Sequence, residues 1–371
     1  MTFSKIDQQY MAWALKLAQR GLLTTRPNPR VGCVIVNDGE VVGEGAHLKA
    51  GEPHAEVHAL RAAGDRARGA TAYVTLEPCS HYGRTPPCAE ALINAGVARV
   101  VAAMVDPNPQ VAGRGLKMLS DAGIEVSHGL LQADAEALNP GFIKRMRTGF
   151  PYVRIKLASS VDGRTALSNG ESQWITGAKA REDVQRLRAR SDAIITGADS
   201  VLIDNPSMNV RHGELGHWQS RIDSAQLQQP LRVVIDGRNR LAPPLKLTEC
   251  DGDILLASTA PYQCQWPTQV SQWCSAPRDG KVDLILLMME LGKRGINEVL
   301  VEAGASLAAA FISAHLWDEL VLYQAPKLMG NPARGLLELP EFSQMHQTVD
   351  LQFTDIRRVG ADLRLTLTSK H

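Results

Sequence analysis

The sequence lacks long apolar runs, an excess of either charge and an abundance of cysteine. No hydrophobic stretch approaches the ~20 residues that a helix needs to cross a bilayer, so the sequence predicts no membrane span. The 40 basic and 39 acidic residues leave a net charge of +1, which gives no reason to expect a nucleic-acid partner. With 371 residues, 44% hydrophobic and 21% charged, the chain has the composition of a globular protein and room for two domains.

Cysteine is scarce, with 6 residues at positions 33, 79, 88, 250, 264 and 274. The first segment contains Lys5, Asp7 and Lys16 and predicts an amphipathic helix, not a signal peptide. We therefore expect a cytoplasmic protein, in which paired cysteines bind metal more often than they form disulfides.

Strand-like and helix-like segments alternate along the chain, which predicts helices that cover a sheet. Residues 139–150 (NPGFIKRMRTGF) show no clean periodicity, and we place a domain boundary there, giving domains at 1–147 and 148–371. The first domain has predicted strands at 31–36, 41–45, 72–76 and 99–105 and helices at 9–20, 54–63, 88–95 and 115–122. The second has strands at 152–158, 193–197, 232–236, 253–258, 298–304 and 320–326, helices at 178–190, 283–292 and 305–314, and a closing antiparallel hairpin.

Four residues of the first domain form a pattern suited to metal chemistry. His54-Ala55-Glu56 opens a helix, Pro78-Cys79 follows a strand, and Cys88 precedes the next helix. One imidazole and two thiolates suit zinc, and three protein ligands leave the fourth tetrahedral position to water. Zinc lowers the pKa of that water toward ~7, and Glu56 can carry its proton to a leaving amine. The pattern predicts a hydrolytic deaminase with His54, Cys79 and Cys88 as ligands.

Two other metal sites use overlapping residues. A metalloprotease would use two histidines four apart, as His54 and His58 are, but the order here is H-A-E-V-H and not H-E-x-x-H. A structural zinc site would need a fourth ligand, for which His81 is the candidate. Cys33, inside the strand VGCVIV, is predicted to be a core residue.

The cysteine spacing and its flanking segments carry a family resemblance. The deaminase signature is H-x-E followed by P-C-x-x-C, whereas the second cysteine here ends the longer PCSHYGRTPPC. Together with TRPNPRVGCVIV and DPNPQVAGRG, this segment resembles the deaminase domain of the bifunctional riboflavin-biosynthesis deaminase/reductase. The resemblance implies a cytidine-deaminase-like three-layer α/β/α domain that acts on a free pyrimidine nucleotide. It also implies that Asn28 contacts the pyrimidine, although an Asx turn before proline explains Asn28 equally well, and that His81, Arg84 and Asn108 lie on the ribose-phosphate side.

The second half is less explicit in its own residues. No G-x-G-x-x-G follows its first strand, so the usual dinucleotide motif is absent from the sequence there. The stretch VEAGAS runs into a helix, and Gly304 and Ser306 would offer backbone N–H groups to a phosphate. A plain strand–turn–helix with a serine cap accounts for the same letters.

Four segments of this half resemble the reductase domain of the same family, which has a dihydrofolate-reductase-like α/β fold. They are IKLASSVDGRTA (155–166), GESQWITG (170–177), LRARSDAIITGADSVLIDNPSMNVR (187–211) and VEAGASL (301–307). The resemblance implies NADP contacts from Ala158, Trp174, Ser200, Asp204, Gly237, Gly304, Ala305, Ser306, Leu307, Ala308, Ala309 and Ala310. It implies substrate contacts from Ser172, Arg188, Met208, Arg211 and Glu302.

The side chains agree with some of these roles. Arg188 and Arg211 can pair with a dianionic 5′-phosphate. Lys156 and Asp204 are ionisable groups at strand ends, where they could supply a proton to the sugar oxygen. Gly237 offers only its backbone, and for Met208 a place in the core is an equal alternative.

The resemblance implies a bifunctional enzyme with one zinc ion and NADPH. It would hydrolytically deaminate 2,5-diamino-6-(5-phosphoribosylamino)pyrimidin-4-one and then reduce the ribosyl side chain to give 5-amino-6-(5-phosphoribitylamino)uracil. Its expected partner is this nucleotide, with no nucleic acid and no membrane, and a homo-oligomer stays open. Two alternatives remain: a nucleoside or nucleic-acid deaminase with an unrelated second domain, and a zinc-binding module without activity.

Overall fold

The computed structural model describes residues 3–82, 86–109 and 111–370. The chain divides into two compact units, Met1–Gly149 and Phe150–His371. The two α/β domains predicted from the alternation of segments correspond to the architecture of these units, each of which has its own sheet and its own cores. Within the described ranges, no helix is long and apolar enough to cross a membrane.

The first unit is a five-stranded sheet with helices on both faces. Its sheet has the order β2-β1-β3-β4-β5, in which β1 is antiparallel to both neighbours and β3, β4 and β5 are parallel. Its strands are β1 (Gly32–Asn37), β2 (Glu40–Ala46), β3 (Thr71–Val74), β4 (Arg99–Ala102) and β5 (Glu125–His128). Its helices are α1 (Lys5–Ala18), α2 (Ala55–Ala63), α3 (Cys88–Ala95), α4 (Arg114–Asp121), α5 (Gln132–Leu138) and α6 (Pro140–Thr148).

Alternate residues of β1 face two different cores, which makes this unit three-layered. Cys33 and Ile35 pack with residues of α2, α3 and α4 on one face. Val34 and Val36 pack with residues of α1, α5 and α6 on the other. Because successive side chains of a strand point to opposite faces, an apolar run such as GCVIV predicts this double burial. Cys33 is a core residue, 0% exposed.

Glycines on β2 let α2 lie close to the sheet. A Cβ on Gly45 would stand 2.0 Å from the carbonyl oxygen of Ala55, and one on Gly43 would stand 2.2 Å from that of Ala59. Larger residues at these positions would push α2 away from the sheet. The close approach fixes the start of α2, which His54 precedes and in whose first turn Glu56 lies.

The segment 139–150, predicted to be an irregular boundary, is mostly helical. Pro140 occupies the first turn of α6, and Gly149 ends it with φ +79°. Phe142 and Ile143 pack on the core of the first unit, so this segment belongs to that unit and is not a linker. The helix was not predicted because three apolar residues in nine, Phe142, Ile143 and Met146, give too weak a periodicity for a helix to be recognised.

The second unit has a larger sheet, with the order β11-β10-β9-β8-β14-β6-β15-β18-β17 in the described part of the chain. Its strands are β6 (Tyr152–Ser160), β7 (Arg164–Ala166), β8 (Ala193–Gly197), β9 (Leu231–Ile235), β10 (Ile254–Ser258), β11 (Val270–Cys274), β12 (Pro277–Arg278), β13 (Lys281–Val282), β14 (Glu298–Glu302), β15 (Glu319–Ala325), β16 (Arg334–Gly335), β17 (Leu351–Val359) and β18 (Asp362–Ser369). Its helices are α7 (Ala178–Arg190), α8 (Ala198–Asp204), α9 (Leu284–Lys293) and α10 (Ala305–Ser313).

The strand order places β14 at a topological switch point. The chain runs from β6 through α7 to β8 and then outward to β11, before β14 returns between β8 and β6. In the sheet order, the seven strands β11-β10-β9-β8-β14-β6-β15 are all parallel. The predicted antiparallel hairpin, β17 and β18, closes the sheet next to β15. Ligands of such sheets collect beyond the carboxyl ends of the strands at the switch point.

Candidate active sites

Three elements of the first unit bring His54, Cys79 and Cys88 together. His54 immediately precedes α2, Cys88 is the first residue of α3, and Cys79 lies in the loop after β3. Their ligand atoms all lie within 4.8 Å of one another. In the described ranges 3–82, 86–109 and 111–370 this is the one group of three or more such side chains that could hold a metal ion.

The spacing of these atoms fits a tetrahedral zinc ion. Nδ1 of His54 lies 3.7 Å from Sγ of Cys79 and 3.3 Å from Sγ of Cys88. An ion bound tetrahedrally at ~2.0 Å to nitrogen and ~2.3 Å to sulfur would hold each such pair roughly 3.6 Å apart. The donor set is also one that zinc prefers. The three residues present therefore fit the metal.

The start of α3 supports a thiolate at Cys79. The backbone N–H of Cys88 donates to Sγ of Cys79 at 3.3 Å, at a helix end where free N–H groups favour negative charge. The hydrogen bond from the Cys88 thiol and that from His54 lower the pKa of Cys79 to about 4, against burial. The hydrogen bond to Cys79 and burial raise the pKa of Cys88. These opposite shifts favour ionisation of Cys79 ahead of Cys88.

Glu56 is a buried carboxyl group beside this cluster. It lies in the first turn of α2 and is 3% exposed. Burial and the charge of Cys79 raise its pKa to about 7, although His54 acts in the opposite direction. A carboxyl group with a pKa near neutrality can both accept and donate a proton at physiological pH, as a general acid–base must.

Two residues of the cluster, His54 and Cys79, line a cavity of about 480 Å³ together with Glu56. Asn28 also faces this cavity, and its side-chain nitrogen lies 3.1 Å from Nε2 of His47. The other ring nitrogen of His47 lies 3.3 Å from the carbonyl oxygen of Pro53. Nδ1 therefore donates to Pro53, and Nε2 accepts from Asn28. The cavity is lined by Asn28, Pro29, Val31, His47, Ala50, Gly51, Glu52, His54, Glu56, Leu76, Glu77, Cys79, His81, Asp106, Asn108, Val111 and Phe142.

The sequence prediction missed His47 and Asp106. His47 is 2% exposed and its ring lies edge-on to that of His54, and burial lowers its pKa, which keeps it neutral. Burial raises the pKa of Asp106 to about 6. Neither residue stands at a recognisable spacing from the HAE or PC motifs, so only the fold could bring them to the cavity.

The other candidates of the first unit have different positions. His58 is not part of the metal cluster, so a two-histidine protease site does not form among the described residues. His81 lines the cavity but is exposed and lies outside the cluster. Asn108 lines the same cavity, is half-buried and also lies outside the cluster. Arg84 lies outside the described residues.

In the second unit, the predicted cofactor residues lie on or after four adjacent parallel strands. Ala158 lies near the end of β6, Ser200 and Asp204 lie in α8 after β8, and Gly237 follows β9. Gly304 precedes α10, directly after β14. Because these strands are neighbours in the order β9-β8-β14-β6, the residues all meet at the carboxyl edge of the sheet.

Not every residue of the predicted cofactor set presents its side chain to this edge. Within α10, Ala308 and Ala309 are 0% and 3% exposed and pack in the core, whereas Ser306 is exposed. Ala305, Leu307 and Ala310 are half-buried. Any contact from the two buried alanines would have to come through the helix backbone.

Trp174 and Ser172 lie in the loop before α7. Trp174 is 63% exposed, and the guanidinium of Arg181 lies 4.5 Å from its ring centre. The ammonium of Lys327 donates to the carbonyl oxygen of Trp174 at 2.7 Å. An exposed, anchored ring of this kind is available to stack on a ligand. Ser172 is half-buried in the same loop.

Glu302 joins two basic residues at the end of β14. The guanidinium of Arg188 donates to its two carboxylate oxygens at 2.6 and 2.9 Å. Lys156 is its neighbour on β6, and burial lowers the pKa of that lysine while Glu302 acts against the change. Burial would raise the pKa of Glu302, but Arg188 and Lys156 hold it below its ordinary value. The charge of Arg188 is therefore already balanced.

The two remaining substrate candidates differ in exposure. Arg211 is exposed and pairs with Glu214, with N···O distances of 2.6 and 2.7 Å. Met208 is 3% exposed and packs with Val184, Leu187 and Ile194. Its side chain thus occupies the core, the alternative that the sequence left open.

Two family models match the chain. The model of the cytidine and deoxycytidylate deaminase zinc-binding region matches residues 4–104, which include the metal cluster and Glu56. The model of the RibD C-terminal domain matches residues 151–365, most of the second unit. Each match falls within one structural unit.

Full-length relatives combine both units. The riboflavin biosynthesis protein RibD of Escherichia coli strain K12 is 57% identical over 362 residues, covering 97% of this chain and 99% of the relative. The solved structure of Acinetobacter baumannii RibD superposes with a TM-score of 0.91 at 47% identity, covering 99% of both chains. A diaminohydroxyphosphoribosylaminopyrimidine deaminase/5-amino-6-(5-phosphoribosylamino)uracil reductase of Thermotoga maritima superposes with a TM-score of 0.86 at 29% identity, covering 98% of this chain and 99% of the other.

Proposed function

Because the chain belongs to the RibD family of riboflavin biosynthesis proteins, we propose that it carries out two successive steps on one pyrimidine nucleotide. The first unit deaminates 2,5-diamino-6-(5-phosphoribosylamino)pyrimidin-4-one with zinc. The second unit uses NADPH to reduce the ribosyl side chain, giving 5-amino-6-(5-phosphoribitylamino)uracil. A deaminase joined to an unrelated domain no longer fits, since the RibD C-terminal domain model covers the second unit.

In the deamination, His54, Cys79 and Cys88 hold the zinc and Glu56 moves the proton. When bound, the metal supplies a water that ionises near neutral pH. Glu56 would accept a proton from that water as the oxygen adds to the amino-bearing ring carbon, and would then donate this proton to the amino nitrogen. The carbon–nitrogen bond would break and ammonia would leave, while the second proton of the water moves from the new oxygen to the ring nitrogen and leaves a carbonyl. The observation that carries this proposal is the buried Glu56 carboxyl group beside the three ligands, with Glu56, His54 and Cys79 all lining one cavity.

Asn28 is proposed to hydrogen-bond the pyrimidine inside the cavity. Its amide nitrogen is engaged by His47, so its carbonyl oxygen remains the group to face a ring N–H or amino group. Neutral His47 fixes the direction of the Asn28 amide in this arrangement. The contact between Asn28 and His47 supports the proposal.

In the reduction, NADPH supplies the hydride when bound, and the protein binds and orients the two reactants. The proposed cofactor contacts are the backbone and exposed side chains around the start of α10, together with Trp174, Ala158, Ser200, Asp204 and Gly237. The proposed substrate contacts are Ser172, Arg188, Arg211 and Glu302, and Met208 could contribute only through its backbone because its side chain is buried in the core. The support is the position of the residues on or after β6, β8, β9 and β14, including Glu302 with its partner Arg188, at the carboxyl edge of the sheet, where ligands of parallel sheets bind.

Within this reductase site we propose a division of roles among the charged groups. Arg188 orients Glu302, since its guanidinium is already paired with that carboxylate. Arg211 takes the 5′-phosphate, because its present partner Glu214 is an exposed side chain that an anion can displace. Lys156 holds a proton near the sugar oxygen.

We also propose that the protein works in the cytoplasm on this free nucleotide, with no nucleic-acid partner. The near-neutral charge and the free state of Cys33, Cys79, Cys88, Cys250, Cys264 and Cys274 support this proposal. A homo-oligomer remains part of the proposal, and sedimentation of the purified chain would give its size.

The proposal is tested by supplying the purified, zinc-loaded chain with the diaminopyrimidine nucleotide and NADPH. We expect ammonia release, followed by NADPH oxidation that depends on the first step. Ammonia release is followed with a coupled enzyme, and NADPH by its absorbance. Failure of both signals in a folded, zinc-containing protein would refute the bifunctional assignment.

A further inference from the structure

Glu77 is a buried carboxyl group that directly precedes Pro78-Cys79. It is 3% exposed, and the described hydrogen bonds of its carboxylate all come from backbone N–H groups. One carboxylate oxygen accepts from Gly115 at 2.8 Å and from Leu116 at 3.4 Å. The other accepts from Asp106 at 3.0 Å and from Gly113 at 2.9 Å. One side chain thus joins the loop of a metal ligand to two separate segments.

These N–H groups belong to the two ends of one loop. Asp106 follows β4, whereas Gly113 caps α4 and residues 115 and 116 lie in its first turn. The first N–H groups of a helix have no partner inside the helix and carry partial positive charge, so a carboxylate there is favourable. Glu77 therefore fixes both the point where the loop leaves β4 and the point where it enters α4.

Close packing strengthens the same junction. A Cβ on Gly115 would stand 1.9 Å from the carbonyl oxygen of Pro78, so only glycine lets α4 meet the Cys79 loop this closely. The loop that Glu77 anchors contributes Asp106, Asn108 and Val111 to the cavity, on a wall that also includes Cys79. Its position relative to the metal ligands is set by these contacts.

We propose that Glu77 is a positioning residue of the deaminase, which holds the wall formed by Asp106, Asn108 and Val111 at a fixed distance from Cys79. The inference rests on the proposed deamination and adds a role for Glu77, a residue of the cavity lining whose carboxylate accepts hydrogen bonds from backbone N–H groups at both ends of the loop. Its loss lets the wall shift, so the nucleotide binds less well while the metal ligands and Glu56 stay in place. The effect falls on KM more than on kcat.

The decisive experiment compares Glu77→Gln with a matched variant, Asp7→Asn. Asp7 is also buried, at 6% exposed, but it bonds to Ser4, Tyr73 and Arg99 and is not part of the cavity wall. Both variants lose one buried carboxylate of the same unit. Zinc content, thermal unfolding, and kcat and KM for ammonia release are measured for each.

For Glu77→Gln we expect about one zinc per chain, as in the wild type. We expect KM to rise by roughly tenfold or more, because the NH2 group of the new glutamine would face backbone N–H donors and could not accept their hydrogen bonds. Glu77→Asp keeps the charge but is too short to reach both ends of the loop, and it should give an intermediate KM. Asp7→Asn should be less stable with an unchanged KM. NADPH oxidation with the deaminated nucleotide should be unchanged in all three.

An unchanged KM in Glu77→Gln, or an equal rise in Asp7→Asn, would overturn the inference, as would loss of zinc in Glu77→Gln. If Glu77→Gln does not fold, amide exchange in the wild type decides instead: without NADPH, the deaminated nucleotide should slow exchange in peptides spanning Asp106 and Gly113 to Leu116. No added protection there overturns the inference. Absence of ammonia release by the wild type would instead defeat the proposed function itself.

Discussion

At the scale of single residues, the deaminase site depends on the difference between groups that bind metal and the one that moves a proton. His54, Cys79 and Cys88 have ligand atoms within 4.8 Å of one another, whereas Glu56 is buried beside them with a pKa raised to about 7. Replacement of a ligand is therefore expected to remove the metal, whereas replacement of the carboxyl group is expected to leave it bound. The two roles are separable by experiment.

Glu56→Gln is expected to keep zinc and the fold but to lose ammonia release. Glutamine has nearly the same size and cannot exchange a proton, so the rate should fall by about 10²- to 10⁴-fold. Ammonia release and metal content are measured on the same preparation. NADPH oxidation with the deaminated nucleotide serves as the internal control, and near-normal ammonia release would show that Glu56 is not the proton carrier.

The part of the site that could be predicted from sequence consists of motifs whose members are close along the chain. His54 and Glu56 are two residues apart at a helix start, and Cys79 and Cys88 flank one loop. His47, Glu77 and Asp106 follow β2, β3 and β4, and they reach the cavity only because the sheet order β2-β1-β3-β4 brings these strands into one sheet. In the sequence these three residues are ordinary polar residues outside any recognised motif, so their spacing could not identify them as site residues.

At the scale of elements, α1 is joined to the sheet through Asp7. Ser4 and Asp7 form a capping box at the start of the helix. Tyr73 on β3 and Arg99 on β4 donate to the same carboxylate at 2.7 and 2.8 Å. Burial alone would raise the pKa of Asp7, but these hydrogen bonds hold it below its ordinary value. The helix start was predicted at residue 9, because the capping residues lie outside the apolar periodicity.

Asp7→Asn is expected to lower the free energy of unfolding at pH 7 by about 2 kcal/mol. Since the folded-state pKa is lowered, the carboxylate stabilises the fold fully above its ordinary pKa of ~3.9, and this stabilisation is lost as the pH falls through the folded value. The difference in unfolding free energy between the variant and the wild type should therefore become smaller below about pH 4. Denaturant titrations at several pH values measure it.

Asp121→Asn is the matched control for that experiment. Asp121 forms an exposed pair with Lys117 on α4, 63% exposed on the acidic side, and such pairs contribute at most about 1 kcal/mol. Its unfolding free energy should stay close to that of the wild type. If the difference in unfolding free energy between Asp7→Asn and the wild type does not change with pH, the charge of Asp7 does not stabilise the fold as proposed.

Element prediction failed where apolar spacing was sparse. Strand β5 and helices α5 and α6 were not predicted, and the segment read as a boundary is α6. Helices α5 and α6 pack on the sheet through Ala135 and Ile143, among others. This packing stabilises them although their local sequence gives no clear helical pattern. The strongly apolar segments, such as β1 and β14, were predicted close to their observed ranges.

At the scale of the whole molecule, the two activities use separate machinery on one chain. The metal cluster lies in the unit Met1–Gly149, and the proposed cofactor residues lie in Phe150–His371. Chelation of zinc should therefore abolish ammonia release and leave reduction of the deaminated nucleotide intact. Trp174→Ala should leave ammonia release intact and weaken the reductase. Its KM for NADPH should rise about two- to tenfold through the loss of an exposed aromatic contact.

Both arms are measured by following ammonia and NADPH in parallel, with zinc added back after chelation as the control. Restored ammonia release shows that the chelator removed the metal without unfolding the unit. Loss of NADPH oxidation on chelation, with the deaminated nucleotide supplied, would mean that the reductase unit depends on the metal. An unchanged KM in Trp174→Ala would remove this residue from the cofactor site.

The sequence by itself determined the family, the two α/β domains and the zinc-and-carboxylate chemistry, because these rest on local motifs and on the periodicity of apolar residues. Only the tertiary structure decided which polar residues share the cavity, since β-sheet order joins segments that are far apart in the chain. It also decided that Arg188 is neutralised by Glu302 and that Met208 lies in the core. Pairing and burial depend on neighbours in space, and a linear pattern does not specify them.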